Sequence, residues 1–145
     1  MIGARVKIYF DGGCRPNPGR MATAVVIAGT ALIDEDAGEG SAMEAEWLAL
    51  IAALRLARAR GLSDFVLMGD ALAVIEQATG RVPCRGGHAR HLAAFRELAG
   101  PGPRPRIRHV GRAQNLAGIA LERAAERMAM GALEMRALEN RPISR

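Results

Sequence analysis

The segment from Ser41 to Arg60 limits most strongly what this chain can become. It contains no proline or glycine, and between Trp47 and Ala57 its only charge is Arg55. A helix that is apolar on nearly every side must be covered on more than one, which suits a central position against a β-sheet. Its ends are marked in the sequence. Ser41 stands at the N-cap position with Glu44 three residues on, the pattern of a capping box, and Gly61 supplies a C-terminal stop.

Strands are found on both sides of this helix. Arg5 to Phe10 alternates, with Val6, Ile8 and Phe10 on one side and Arg5, Lys7 and Tyr9 on the other, as expected of a strand with one buried face. Gly12, Gly13, Pro16, Asn17, Pro18 and Gly19 form a dense turn signal. Ala22 to Ala28 and Thr30 to Asp34 read as two further strands with a hairpin at Gly29, giving an antiparallel meander. Beyond the helix, Phe65 to Met68 is a short strand ending at Gly69-Asp70, and Ala71 to Thr79 a short helix stopped by Gly80. Another helix falls within Arg85 to Ala99, before Gly100-Pro101-Gly102-Pro103, and Ile107 to Val110 is the last strand. From Asn115 an Ala-rich helix carries an apolar stripe at Leu121, Ala125, Met128, Ala132 and Met135; Gly131 weakens it and the end after Glu139 is expected to fray. The order βββ-α-β-α-α-β-α, without repeats or linkers, predicts one α/β domain over residues 1–145.

Composition narrows the class. The chain is 50% hydrophobic and 24% charged, an ordinary globular balance, and its scarce aromatics leave the core to Ala, Leu, Val, Ile and Met. No apolar run is long enough to cross a bilayer, and Met1 to Phe10 lacks a signal-peptide layout, so the expectation is a cytoplasmic protein with no membrane partner, acting as a monomer. Cys14 and Cys84 are too few for a disulfide framework, and Cys84, His88 and His91 offer zinc three ligands without a fourth. The net charge of +5, with Lys7 the only lysine, favours a polyanionic partner.

Three carboxylates stand where chemistry would be expected. Asp11 follows the first strand and faces opposite to Phe10, Glu46 lies early in the central helix, and Asp70 closes the fourth strand. Taken singly, each has an ordinary explanation, in a turn or on a solvated face. Together they differ, because Glu46 shares a helix face with Leu50, Ala53, Leu54 and Ala57. A carboxylate on so apolar a side needs a partner, and a shared cation is the simplest. Two Mg²⁺ ions roughly 4 Å apart activate a water and stabilise the departing oxygen in phosphodiester hydrolysis, and such a site draws carboxylates from several elements.

At this point the chain resembles the type 1 ribonuclease H family. Asp11-Gly12-Gly13-Cys14-Arg15-Pro16-Asn17-Pro18-Gly19 is similar to the family's opening signature, and Glu44-Ala45-Glu46-Trp47-Leu48-Ala49-Leu50 to its catalytic helix. Gly69-Asp70, with Val74, Gln77 and Gly80, resembles the third motif, and His109-Val110-Gly111-Arg112-Ala113-Gln114-Asn115 the segment before the last helix. The resemblance implies a five-stranded mixed sheet, three strands antiparallel and two parallel, flanked by helices. It implies Mg²⁺- or Mn²⁺-dependent cleavage of the RNA strand of an RNA–DNA hybrid, with Asp11, Glu46 and Asp70 as metal ligands. Gly12, Cys14, Asn17 and Asn115 would contact the substrate.

The chain also departs from that pattern. The family's fourth carboxylate, four residues after the Asn of the last motif, is here Ile119. Glu122, or the side-chain carbonyl of Asn115, is the candidate substitute; the ordinary reading of Glu122 is a solvated helix residue. Ala42 and Met43 stand where the family has paired Asn, and Ala71 and Leu72 where it has Ser-Gln, which removes groups that contact the minor groove of the hybrid. His109 reads either as the histidine that assists product release or as a plain strand residue. Arg104, Arg106 and Arg108 alternate along the last strand, either on phosphates or on a solvated edge. Three functions therefore compete: a ribonuclease H of reduced activity, a catalytically impaired nucleic-acid-binding domain of the same fold, and a related nuclease acting on another nucleic acid.

Overall fold

A computed structural model describes residues 5–142. Strands β1 (Val6–Cys14), β2 (Gly19–Ile27) and β3 (Thr30–Asp34) form the meander, and a two-residue strand β4 (Glu39–Gly40) pairs with the start of β2. Helix α1 (Ala42–Ala59), strand β5 (Phe65–Gly69), helices α2 (Leu72–Ala78) and α3 (Ala89–Ala99), strand β6 (Arg106–His109) and helix α4 (Leu116–Glu139) follow. The sheet order is β3-β2-β1-β5-β6, with β5 parallel to both β1 and β6. Three antiparallel strands and a parallel pair are therefore present as expected, with β4 as an addition.

Helix α1 holds the centre. Trp47, Leu50, Leu54 and Ala57 are fully buried against Ile8, Phe10 and Leu67, with Val74, Leu92 and Phe95 closing the core from α2 and α3. Ser41 caps the helix, its Oγ accepting from the Glu44 amide at 3.1 Å, and Gly61 leaves it at φ +65°. Only this half of the capping box follows the expected pattern: the Glu44 carboxylate turns to Arg90 at 3.2 Å. On the other face, α4 packs over β1, β2 and β3. Among the described residues no helix is long and apolar enough to cross a membrane.

Two differences from the sequence reading matter. The glycines after Asp11 do not begin a turn. β1 continues through them to Cys14, with Asp11 opposite Ala24 and Gly12 opposite Thr23, so the connection shrinks to the residues between Cys14 and Gly19. The physical reason is proximity: a Cβ on Gly12 would lie 2.2 Å from the Ala45 carbonyl carbon and 2.6 Å from the Glu46 nitrogen. Glycine serves here to let strand and helix backbones touch. The second difference concerns α4, in which Ala117 and Ala124 are buried while Met128 and Met135 are exposed. A helix of 24 residues is about 36 Å long, more than a short sheet can cover, so its second half passes beyond the strands it packs on.

Candidate active site

Asp11 is carried mid-strand on β1, Asp70 directly follows β5, and Glu46 is presented from the first turns of α1. The parallel register of β1 and β5 sets the two aspartates side by side at the same end of the sheet, each two residues beyond the paired Tyr9 and Met68. The contact at Gly12 presses α1 against β1 and brings Glu46 over them. One carboxylate oxygen of each of the three lies within 4.8 Å of the other two. Among the described residues this is the only such group of acidic, histidine or cysteine side chains, which leaves Cys84, His88 and His91 outside any metal-compatible cluster.

Electrostatics make the group unstable by itself. Burial, followed by the charge of Asp11 and that of Asp70, raises Glu46 to about 9. Burial also raises Asp11 to about 6, aided by Asp70 and opposed by its hydrogen bond with Glu46 and by the nearby Arg112. The two therefore share a proton at neutral pH unless a cation replaces it. Glu46 Oε2 is buried without a hydrogen-bond partner, the kind of orphaned acceptor that a divalent ion satisfies. The donor set, all oxygen and all acidic, suits a hard cation.

Asn115 requires a correction. The side chain is fully buried; its Nδ2 donates to the Phe10 carbonyl and to Asp70 Oδ2, both at 3.0 Å, and its Oδ1 accepts from the Ala117 amide at 3.1 Å. With that oxygen engaged in capping α4, and no surface left exposed, Asn115 is neither a metal ligand nor a substrate contact. It is a brace that orients Asp70. An Asn at the head of a helix signals the cap on Ala117, but nothing in the sequence signals the bonds to Phe10 and Asp70, which come from distant segments.

Some of the remaining expected residues line one groove of roughly 920 Å³, and the others lie outside its lining. Gly12 and Cys14 line it, although the Cys14 side chain is buried, with its Sγ donating toward the Pro16 and Gly40 carbonyls at 3.3 Å. Asn17 Oδ1 accepts from the Ala42 amide at 3.0 Å and so ties the loop to the start of α1. Ile119 and Glu122 also line the groove, with Glu122 exposed and outside the carboxylate group. Met43 and Leu72 are exposed apolar residues where polar ones were the family expectation. His109 is exposed at the last position of β6, in register with Gly69 beside Asp70. Arg112, not singled out from sequence, lines the groove near Asp11. Gly118 is another such residue: a Cβ there would stand 3.3 Å from Asp11 Oδ2.

This sheet order, with an acidic cluster at the end of its adjacent parallel strands, defines the ribonuclease H-like class. A family model described as "Reverse transcriptase-like" matches residues 10–125. Ribonuclease HI of Halobacterium salinarum is 43% identical over 83 residues, covering 54% of this chain and 42% of that protein, so the chain spans less than half the length of this curated relative. The crystal structure of ribonuclease H1 from the same archaeon aligns with a TM-score of 0.73 at 35% identity, over 81% of this chain and 94% of that one. The N-terminal ribonuclease H domain of a Mycobacterium tuberculosis protein aligns at 0.71 and 28% identity, over 81% and 95%. The LC11 ribonuclease H1, solved in complex with an RNA/DNA hybrid, aligns at 0.71 and 25%, over 81% and 93%. The chain belongs to the type 1 ribonuclease H family.

Proposed function

We propose that the chain is a divalent-metal-dependent endonuclease that hydrolyses the RNA strand of RNA–DNA hybrids, with Mg²⁺ or Mn²⁺ held by Asp11, Glu46 and Asp70. The observation that carries this reading is the convergence of the three carboxylates within 4.8 Å around an unpartnered, buried Glu46 oxygen. Binding alone gives no reason to concentrate three like charges in a groove; hydrolysis of a phosphodiester does. The hybrid seen with the related LC11 enzyme supports the choice of substrate.

The bound ions supply an activated water and a counter-charge for the departing oxygen. Asp11 and Glu46 would hold the cation as carboxylates in place of the proton they otherwise share, and Asn115 holds one oxygen of Asp70 in a fixed direction. The backbone from Gly12 to Cys14 offers the groove floor to the RNA strand, and Asn17 keeps its amide nitrogen for the substrate, its oxygen being held by Ala42. His109, beside Asp70 and open to solvent, acts at product release. The chain works as one domain and as a monomer in the cytoplasm. Because Ile119 replaces the fourth carboxylate, turnover is reduced, and a binding domain with impaired catalysis is the second reading. Purified protein incubated with labelled hybrid, RNA duplex and DNA duplex in Mg²⁺ and then Mn²⁺ should cut only the RNA of the hybrid. Asp11→Asn should abolish cutting. No cleavage in either metal refutes the enzyme, and cutting of the DNA duplex refutes the substrate.

A further inference from the structure

The sheet has a second charged feature, on the face that carries the two aspartates. Side chains alternate along a strand, so positions 7, 9 and 11 of β1 share one side, as do 66, 68 and 70 of β5. The register extends these rows onto β6: Lys7, Val66 and Arg106 stand abreast, and Tyr9, Met68 and Arg108 form the next row. Asp11 and Asp70 form the row after that. Ile8, Leu67 and Ile107 point the other way, toward the core under α1. Helix α4 covers this face over β1, β2 and β3, while Lys7, Arg106 and Arg108 remain exposed beside the buried Val66 and Met68. Among the described residues none of the three cations has a carboxylate within ion-pair distance. Arg104 stands apart, its Nη1 donating to the Thr79 carbonyl at 3.2 Å, so the row expected from sequence loses its first member.

We infer that Lys7, Arg106 and Arg108 form a phosphate-binding track that continues the substrate site beyond the metal centre. The inference rests on the hydrolysis reading and adds to it where the hybrid goes. Two residues along a strand advance about 6.7 Å, which puts Arg108 about 7 Å and the Lys7–Arg106 row about 13 Å from the carboxylates. A nucleic acid strand advances about 3.4 Å per nucleotide, so these rows meet phosphates about two and four nucleotides from the bond being cut. Lys7 and Arg106 sit two strands apart, about 10 Å, and flank the path on either side. Val66 and Met68, abreast of these residues, offer the long stems an apolar strip while the charged heads stay free to reach a backbone. A polyanion with regularly spaced charge is the partner that this arrangement fits, and the acidic rows at its end are where such a strand would be cut. Arginine on an edge strand also deters pairing with another sheet. That role alone leaves nucleic-acid binding unchanged.

The test is anisotropy titration of the whole chain with labelled hybrids of about 6 and about 20 base pairs, in chelator, across a salt series. Lys7→Gln/Arg106→Gln/Arg108→Gln should weaken binding of the long hybrid at least tenfold and lower its salt slope by about 2–3, near 0.9 for each phosphate no longer neutralised. Binding of the short hybrid should fall less than that of the long one, since centred on the carboxylates it reaches Arg108 but not the Lys7–Arg106 row. Arg106→Lys/Arg108→Lys should keep the wild-type slope. The single variants Arg106→Gln and Arg108→Gln, each lowering the slope by about one, provide the same reading if the triple variant does not fold. Wild-type affinity and slope in the neutral variants overturn the track. Cleavage by the unaltered protein is scored separately: a lowered slope without cleavage removes the nuclease but keeps the track, whereas cleavage with an unchanged slope does the reverse.

Discussion

Replacing Asn115 with alanine removes three hydrogen bonds from a side chain with no exposed surface. Loss of the helix cap at Ala117 costs about 1 kcal/mol. The Asp70 bond involves a charged acceptor and contributes about 1.5–3 kcal/mol, and leaving the Phe10 carbonyl with one partner fewer adds about 1. The sum is about 3–5 kcal/mol, which for a chain of this size lowers the melting temperature by about 8–15 °C. Circular dichroism melts of metal-free protein measure this directly. Asn115→Ser, which restores a capping oxygen, should recover about 1 kcal/mol. Asn115→Asp keeps the cap but sets a second carboxylate against Asp70 Oδ2, so it should melt no higher than the alanine variant. If Asn115→Ala costs less than about 1 kcal/mol, or Asn115→Asp melts like wild type, Asn115 does not brace Asp70. On hybrid, the alanine variant should lose kcat at least tenfold with KM little changed, because Asp70 is misdirected while the groove persists.

Three further outcomes follow from the site. Gly12→Ala places a methyl 2.2 Å from the Ala45 carbonyl, backbone against which nothing can yield cheaply; urea unfolding should show a loss of about 3 kcal/mol or more, and near-wild-type stability would contradict the packing. In metal-free protein, Asp11 raised to about 6 and Glu46 raised to about 9 hold protons that the unfolded chain has already released. This stabilisation is complete below the ordinary carboxylate range and is lost as pH climbs through the folded values, so the melting temperature should fall from about pH 5 to about pH 9. Saturating Mg²⁺ or Glu46→Gln should flatten that decline, and a metal-free protein that becomes more stable across the interval would refute it. Ile119→Asp adds a carboxylate to the groove from a residue 37% exposed; calorimetry should show Mg²⁺ bound several-fold more tightly, and unchanged affinity would mean that the position does not reach the ions.

Much of the architecture was legible because local pattern and tertiary need agree. The alternation of Val6, Ile8 and Phe10 names the buried face of β1, and the all-round apolarity of α1 demands the cover it receives. The carboxylates were legible for a similar reason: Glu46 is conspicuous on a face of buried alanines and leucines. What escaped depends on contacts between distant segments. Gly12 and Gly13 look like a turn until α1 lies against the first and Leu121 of α4 against the second. Asn115 looks like a ligand until its oxygen is found on Ala117. Arg104 alternates with Arg106 in sequence yet is drawn aside by the end of α2. The stripe along α4 has the right period for a core, but periodicity does not state how far the sheet beneath it extends.

The brace at Asn115 also has a meaning in time. Its amide spans 105 residues to reach Phe10 and 45 to reach Asp70. During synthesis all three carboxylates leave the ribosome before this residue is made, and closing so long a loop is among the slower events of folding. A nascent or truncated chain that stops short of residue 115 carries every acidic group of the site but lacks the brace that orients Asp70. The final orientation of Asp70 therefore reports that the last helix has docked, so unfinished copies hold the three carboxylates without that constraint.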